Sequence, residues 1–308
     1  MKPSAMPLCR YAFLGCLGFE ARAICVFREV YSSPCPPTKA IIFFNEESHS
    51  SAMKWKEEFQ GIYSKTIFKN ISYADPIKTV DIFIKTLDGL LKDKINHVLI
   101  DTTTFTREWL LMLIALLNHG KYTNINVKYA YSYAATLSAE WLSTRPLKLR
   151  TVLGYPGSVL PSKRNHLFLI LGHEIERALS IIDEIEPAKL TVIVGAKDGS
   201  VNQEMYQRNR YFENFIKNNY GSISQTYDIN VRDYAQSFED LKKVIVNDNS
   251  ANIIVAPLNT KISTLAAGFV ALNDKSIQIC YLPMEQYNQE DFSTPSNENV
   301  YFSASINN

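Results

Sequence analysis

The feature that most constrains this chain is an alternation of short apolar runs with longer amphipathic segments, met twice in the same order. Such alternation is the signature of βαβ units and a mostly parallel sheet. In the first half, strands are expected at Tyr11 to Leu17, Ala40 to Phe44, His97 to Asp101 and Ile125 to Tyr131. Helices are expected after Gly18, at Met53 to Tyr63, from Pro76, and at Thr106 to Leu117. The second half offers strands at His166 to Leu171, Leu190 to Val194, Asn252 to Val255 and Ile277 to Leu282. Its helices are expected at Glu174 to Ile185, Asn202 to Lys217, Arg232 to Val246 and Ile262 to Leu272.

The halves can be superposed as sequences. His97 to Leu117 lies on Asn252 to Leu272 without a gap, although only Leu110/Leu265 and Leu117/Leu272 are the same residue. Gly18-Phe19-Glu20-Ala21-Arg22-Ala23 faces Gly172-His173-Glu174-Ile175-Glu176-Arg177-Ala178 with one insertion, and Ile125 to Tyr131 faces Ile277 to Pro283. The expected fold is therefore α/β: two tandem Rossmann-like units with mostly parallel sheets, related by a pseudo-two-fold. The boundaries read as a first unit over 1–131, a turn-rich junction over 132–165, a second unit over 166–290 and a polar tail over 291–308. Within the junction Leu147 to Leu153 has the composition of an extended segment, and in the tail Val300 to Phe302 has that of an edge strand. The helices Trp109 to Leu117 and Leu265 to Leu272 are apolar nearly all round and are expected to be buried on several sides, at the junction of the two copies.

Composition narrows the classes. With 46% apolar and 20% charged residues the chain is of globular type. A net charge of +1, from 32 basic and 31 acidic residues, gives no overall field for DNA or an anionic membrane, though nucleic acid is not excluded as a partner. The longest apolar run, Trp109 to Leu117, is about half the roughly 20 residues a bilayer span needs. Pro3, Pro7 and Arg10 interrupt the opening stretch, which therefore does not read as a secretory signal. Cys9, Cys16, Cys25, Cys35 and Cys280 form no C-x-x-C pair and read as reduced, buried small hydrophobes of a cytoplasmic protein. The five histidines carry no metal-binding spacing, so no metal is expected. No cofactor is named by any motif.

Ligands of open α/β sheets bind beyond the carboxyl ends of strands, and two kinds of strand-end loop stand out. After the opening strand of each half, Gly18 and Gly172 permit a sharp turn into a helix whose amides face an anion, with Glu20 and Glu174 in the first turn. Arg22 and Arg177 are candidates to reach a phosphate, or to pack. Neither loop is a G-x-G-x-x-G or a P-loop. After the third strand, Asp101-Thr102-Thr103-Thr104 presents a carboxylate and hydroxyls, and its counterpart ends Asn259-Thr260-Lys261. Either is a phosphate cradle or a simple N-cap. Lys261 favours the former, because a cation at a helix start opposes the dipole unless an anion compensates. His173 beside Glu174, or Asp101 with its threonines, are the candidate acid–base groups of an alternative reading as a nucleotide-processing hydrolase.

The Asn259-Thr260-Lys261 loop, after a strand and before a helix, resembles the Gly-Thr-Lys loop of CARF domains. These are Rossmann-like sensors of prokaryotic antiviral systems that bind cyclic oligonucleotides across a two-fold axis. The resemblance implies a nucleotide-like ligand whose phosphates meet Asn259, Thr260 and Lys261, with Gly172 and His173 lining the same groove. It covers the second half of the chain by one short motif. Asn259 stands where the glycine would be, and the first half places Phe105-Thr106 opposite Thr260-Lys261, which implies unequal grips on a symmetric ligand. No effector nuclease segment follows, so a sensor of this kind would act through a protein partner. A non-catalytic interaction subunit is the further alternative.

Overall fold

A computed structural model describes residues 10–45, 50–245 and 250–305, with side chains of 50, 51, 53 and 54 outside the description. Cys9 and the residues around His49 lie outside the described set. The chain divides into two compact units, one running to Leu137 and taking back Gln289–Ala304, the other Ser138–Asn288.

The first unit holds β1 (Ala12–Cys16), α1 (Cys25–Tyr31), β2 (Lys39–Phe44), α2 (Ser50–Ile62), β3 (Ile67–Asn70), α3 (Pro76–Lys92), β4 (His97–Asp101), α4 (Arg107–Leu117) and β5 (Asn126–Leu137). Strand β1 is apolar along its whole length and buried on both faces, as a central parallel strand must be. Helix α3 starts where Asp75 accepts from the Lys78 amide, with Pro76 at the first helical position. Phe27 and Val30 of α1 and Phe59 of α2 pack on Phe13, Ile42 and Ala130 of the sheet. Each large apolar side chain so buried contributes about 1.5–3 kcal/mol.

The second unit holds β6 (Ser143–Pro146), β7 (Arg150–Pro156), β8 (Arg164–Ile170), α5 (Ile175–Ile185), β9 (Lys189–Gly195), α6 (Gln203–Tyr220), β10 (Ser224–Ile229), α7 (Tyr234–Val244), β11 (Ala251–Pro257), α8 (Lys261–Asn273), β12 (Gln278–Tyr281) and β13 (Met284–Tyr287). Strand β14 (Ser293–Phe302) follows, in the first unit. Ala178, Ile181 and Ile182 of α5 and Phe212 and Ile216 of α6 bury the Leu167, Leu169, Val192 and Val194 face. Helix α8 is buried continuously from Ile262 to Leu272, and Phe269 meets Tyr234 of α7 edge to face. Helix α4 is buried over most of its length. Both were expected from their all-round apolar sequence.

The chain is thus mixed α/β, with two largely parallel six-stranded sheets. The first has the order β14-β5-β4-β1-β2-β3, the second β7-β12-β11-β8-β9-β10. These are the same topology: five parallel strands in the order 3-2-1-4-5, closed beyond the fifth by one antiparallel strand.

Several boundaries differ from the sequence expectation. Residues 132–165 are no linker: 132–137 continue β5, β6 pairs with β13, and β7 closes the second sheet against β12. The edge strand expected at Val300 to Phe302 is longer than read: β14 lines the edge of the first sheet from Ser293 to Phe302. Strands β3 and β10 carry too little apolar alternation to be read, and they sit at sheet edges where one side meets solvent. Cys16 and Cys280 are buried as expected, but Cys25 and Cys35 are only half-buried.

Candidate functional site

In an order 3-2-1-4-5 the chain leaves the first strand toward one side and returns beyond it on the other. Loops therefore diverge at the carboxyl ends of strands 1 and 4, where ligands of such sheets bind. The loops singled out by sequence lie there in both units: after β1 and β4, and after β8 and β11.

Register corrects how the halves correspond. Leu14 and Phe168 face Ile100 and Val255, which face Tyr129 and Ile279. Gly18 then matches Gly172 and Glu20 matches Glu174, as read from sequence, whereas Tyr131 and Ser132 match Tyr281 and Leu282, two residues off the match by apolar pattern. The helices shift as well. Thr106 caps α4 by accepting from the Trp109 amide, and Thr260 caps α8 by accepting from the Ser263 amide. The two caps are equivalent, so Arg107 and Lys261 are both the first helical residue. The loop must absorb a one-residue gap that an ungapped apolar match hides. Both units place Thr followed by a cation at the same point, and the expected asymmetry of that loop disappears.

The other expected anion contacts turn inward. Arg22 is 5% and Arg177 1% exposed. The Arg177 guanidinium donates to the Leu282 carbonyl at 2.8 and 2.6 Å, meets Glu174 at 3.0 Å, and lies over the Tyr281 ring at 5.0 Å. Arg22 donates to the Ser132 carbonyl at 2.9 Å, meets Glu20 at 2.7 Å, and lies over Tyr131 at 5.9 Å. Each carboxylate also accepts from a serine hydroxyl, Ser293 for Glu20 and Ser143 for Glu174. Burial works against both guanidinium charges, and the facing glutamates more than offset it, so both are held well above the usual arginine range. The two arginines are braces from the first strand-end turn to the end of the fifth strand, each committed to protein partners.

The threonines after β4 are also committed. Thr102 and Thr103 are fully buried. Thr102 Oγ1 donates to the Ala130 carbonyl at 2.9 Å, and Thr103 Oγ1 accepts from the Ser132 amide at 2.9 Å. Thr104 ties to the Cys16 carbonyl. Asp101 accepts from the Thr103 amide at 3.0 Å and from its hydroxyl at 2.5 Å. Burial pushes the Asp101 carboxyl up to about 7, against the lowering effect of the Thr103 bonds and of Arg22. The expected hydroxyl cradle is therefore a buried knot that fastens β4 to β1 and β5.

In the second unit the glycine has a demonstrable task. A Cβ on Gly172 would stand 1.9 Å from the Leu258 carbonyl oxygen, so only glycine lets the loops after β8 and β11 touch. Asn209 of α6 pins this turn, donating to the Leu171 and Gly172 carbonyls at 2.9 Å each and accepting from the Gly195 amide at 3.0 Å. Asn259 donates to the Leu171 carbonyl at 2.6 Å, and Thr260 Oγ1 to the Val231 carbonyl at 2.6 Å. Beside them lies a small pocket with room for about one water, lined by His173, Ser200, Val201, Met205, Asn209, Val231 and Asn259. His173 and Asn259 were read from sequence. Ser200, Met205, Asn209 and Val231 were missed, although Gly195 to Asn202, a glycine-containing loop from a strand to a capped helix, carried a signal for part of them. The Glu174 carboxylate beside His173 is held by Arg177 and Ser143. At the position of His173 the first unit has Phe19, which packs edge to face on Phe292 and accepts a hydrogen bond from the Trp55 indole at 3.1 Å. Among the described residues no three His, Cys, Asp or Glu side chains gather as for a metal, and no helix is long and apolar enough to cross a membrane.

No family model and no curated protein matches the chain. Among solved structures it is similar to a type III CRISPR defence DNA nuclease activated by cyclic oligoadenylate, at 10% identity and a TM-score of 0.58, over 92% of this chain and 67% of that one. A UDP-GlcNAc 2-epimerase of Methanocaldococcus jannaschii, in complex with UDP-GlcNAc and UDP, aligns over 85% of this chain and 82% of its own, at 13% identity but a TM-score of only 0.30. The first likeness is one of fold, over nearly the whole chain, and agrees with a Rossmann-like α/β architecture.

Proposed function

We propose that this protein is a nucleotide sensor of the CARF kind, which binds a phosphate-rich ligand such as a cyclic oligoadenylate and signals to a partner in antiviral defence. One observation carries the reading: at the strand-order reversal of each unit, a threonine-capped helix begins with a cation, Arg107 in one and Lys261 in the other. A cation there costs about 0.3–1 kcal/mol against the helix dipole, and a bound anion reverses that sign. Helix α4 carries Glu108 in its first turn, whereas α8 has no acidic residue there. The second unit is therefore the more electropositive at this point, so we assign it the stronger grip. The proposed contacts are the Lys261 ammonium and amides of the α8 start, with half-buried His173 beside them and buried Ser200 and Asn259 bracing the loops behind. Thr260 acts as the cap that holds the helix end in place.

The test is thermal stabilisation by cyclic tetra- and hexa-adenylate, ATP and UDP-GlcNAc, in the wild type and in Lys261→Ala and Arg107→Ala. A ligand at about 100 times its Kd stabilises by roughly 2.7 kcal/mol. The expected result is a response to a cyclic oligoadenylate that Lys261→Ala abolishes and Arg107→Ala weakens. Absence of any response, or one that both variants retain, overturns the reading.

A further inference from the structure

The loops after β3 and β10, the equivalent third strands of the two units, are built alike. Ser72 Oγ accepts from the amides of Ala74 and Asp75 at 3.2 Å each, and Asn230 Oδ1 accepts from those of Arg232 and Asp233 at 2.8 and 2.7 Å. Asp75 then caps α3 and Asp233 caps α7, each accepting at 2.9 Å from the amide three residues on. The turns therefore match residue for residue: Ser72 with Asn230, Tyr73 with Val231, Ala74 with Arg232 and Asp75 with Asp233. Both lean on the helix that starts at the strand-order reversal. The Tyr73 ring meets that of Trp109, in the first turn of α4, at 4.6 Å, and the Val231 carbonyl accepts from Thr260, the cap of α8, at 2.6 Å.

Within these matched turns the charge differs at one position. Ala74 and Arg232 are both exposed, so burial does not dictate either residue. The neighbouring aspartate is common to both turns and cancels in the comparison. Asp240, a further carboxylate beside the second turn, is taken up by the Asn230 amide at 2.9 Å and by Gln236 at 2.7 Å. The second unit thus adds Arg232 where α8 already starts with Lys261 and has no acid in its first turn, whereas the first unit has Ala74, and Glu108 in α4. Backbone contacts fix where Arg232 stands. The Val231 amide donates to the Gly199 carbonyl at 2.9 Å, and a Cβ on Gly199 would lie 2.8 Å from the Asn230 Cα, so the loop after β9 presses on the loop after β10. Val231, Asn259 and His173 line one small pocket, which sets Arg232 one residue and Lys261 two residues from the same opening. We propose that Arg232 is a phosphate-binding residue of the second unit, closing with Lys261 on one phosphodiester of the ligand. This rests on the nucleotide reading above and extends it from one cation to a pair of unlike chemistry. A guanidinium offers parallel N–H donors to two phosphate oxygens, and an ammonium acts as a point charge.

The test is fluorescence anisotropy of a labelled cyclic tetra-adenylate with the full chain, over a series of salt concentrations, in the wild type and in Arg232→Ala, Arg232→Gln, Arg232→Lys and Lys261→Ala. Arg232→Ala and Arg232→Gln are expected to weaken binding about tenfold or more and to make it less sensitive to salt, because a charged contact is gone. Arg232→Lys restores the charge without the fork, so it is expected to recover the salt sensitivity while its affinity stays below wild type. A part in loop shape alone predicts weaker binding with an unchanged salt dependence. That outcome, or wild-type affinity in both uncharged variants, overturns the proposal, and the nucleotide reading still stands if Lys261→Ala abolishes binding. No binding of the probe by the wild type overturns both.

Discussion

The buried guanidinium of Arg177 holds the carbonyl of Leu282 through two nitrogens, at 2.8 and 2.6 Å, while a third faces Glu174. Removing one partner of such a pair strands the other charge in the interior. Arg177→Met is therefore expected to destabilise the second unit by about 3–5 kcal/mol, and Arg177→Met with Glu174→Gln by clearly less. Urea midpoints of the single and double variants check this. Equal losses in both would show that the cost lies in the Leu282 tie alone.

Gly172 leaves no room for a side chain, with the Leu258 carbonyl oxygen 1.9 Å from where a Cβ would stand. At Gly18 the obstacle is the Thr104 side chain at 2.9 Å. Both positions clash, but a backbone carbonyl yields less than a threonine. Gly172→Ala is expected to cost more than the typical overpacking loss of about 1–3 kcal/mol, and Gly18→Ala to fall within it. Melting of the two variants ranks them.

The Asp101 carboxyl gives a pH signature. The unfolded chain ionises it near pH 4, while the fold retains the proton up to about pH 7. Between those values the unfolded state releases a proton that the folded state keeps, so this group's stabilisation is complete below about pH 4 and is lost as pH rises toward 7. Asp101→Asn keeps an oxygen for the Thr103 donors and removes the titration. It is expected to flatten the stability profile between those pH values, as measured by urea midpoints across the range. An unchanged slope counts against a protonated Asp101.

The two cap threonines are not worth the same. Thr106→Ala removes one cap bond and is expected to cost about 1 kcal/mol. Thr260→Ala removes a cap bond and also the 2.6 Å tie to the Val231 carbonyl, adding about 0.5–1.5 kcal/mol. Thermal melting gives the difference, and a larger loss at Thr106 would contradict it.

Sequence pattern revealed the central strands because each is buried on both faces and leaves an unbroken apolar run, as Ala12–Cys16 does. It revealed α3 through Asp75 and Pro76, which are local signals. It missed β3 and β10, whose alternation edge exposure erases, and β6, placed in a turn-rich junction by Pro146, while the extended segment read at Leu147 to Leu153 only partly overlaps β7 because Gly154 and Pro156 read as turns. At the site, sequence found the right loops and mistook the direction of their side chains. Whether Thr102 faces a ligand or the Ala130 carbonyl depends on a strand 28 residues away, and Arg22 is buried partly by Ser293, 271 residues away. The equivalence of Arg107 with Lys261 was hidden by a single-residue gap that cap geometry exposes.

Strand β14 completes the first sheet with residues that leave the ribosome after every strand of the second unit. The first unit therefore cannot close its sheet during its own synthesis, and β5 must wait with a bare edge from Tyr129 to Leu137 while the intervening residues are made. Nor would a single cut between the units release two whole domains. A fragment ending at Leu137 lacks Ser293, the hydroxyl that Glu20 accepts from, so the brace around Arg22 is assembled only when both ends of the chain have met.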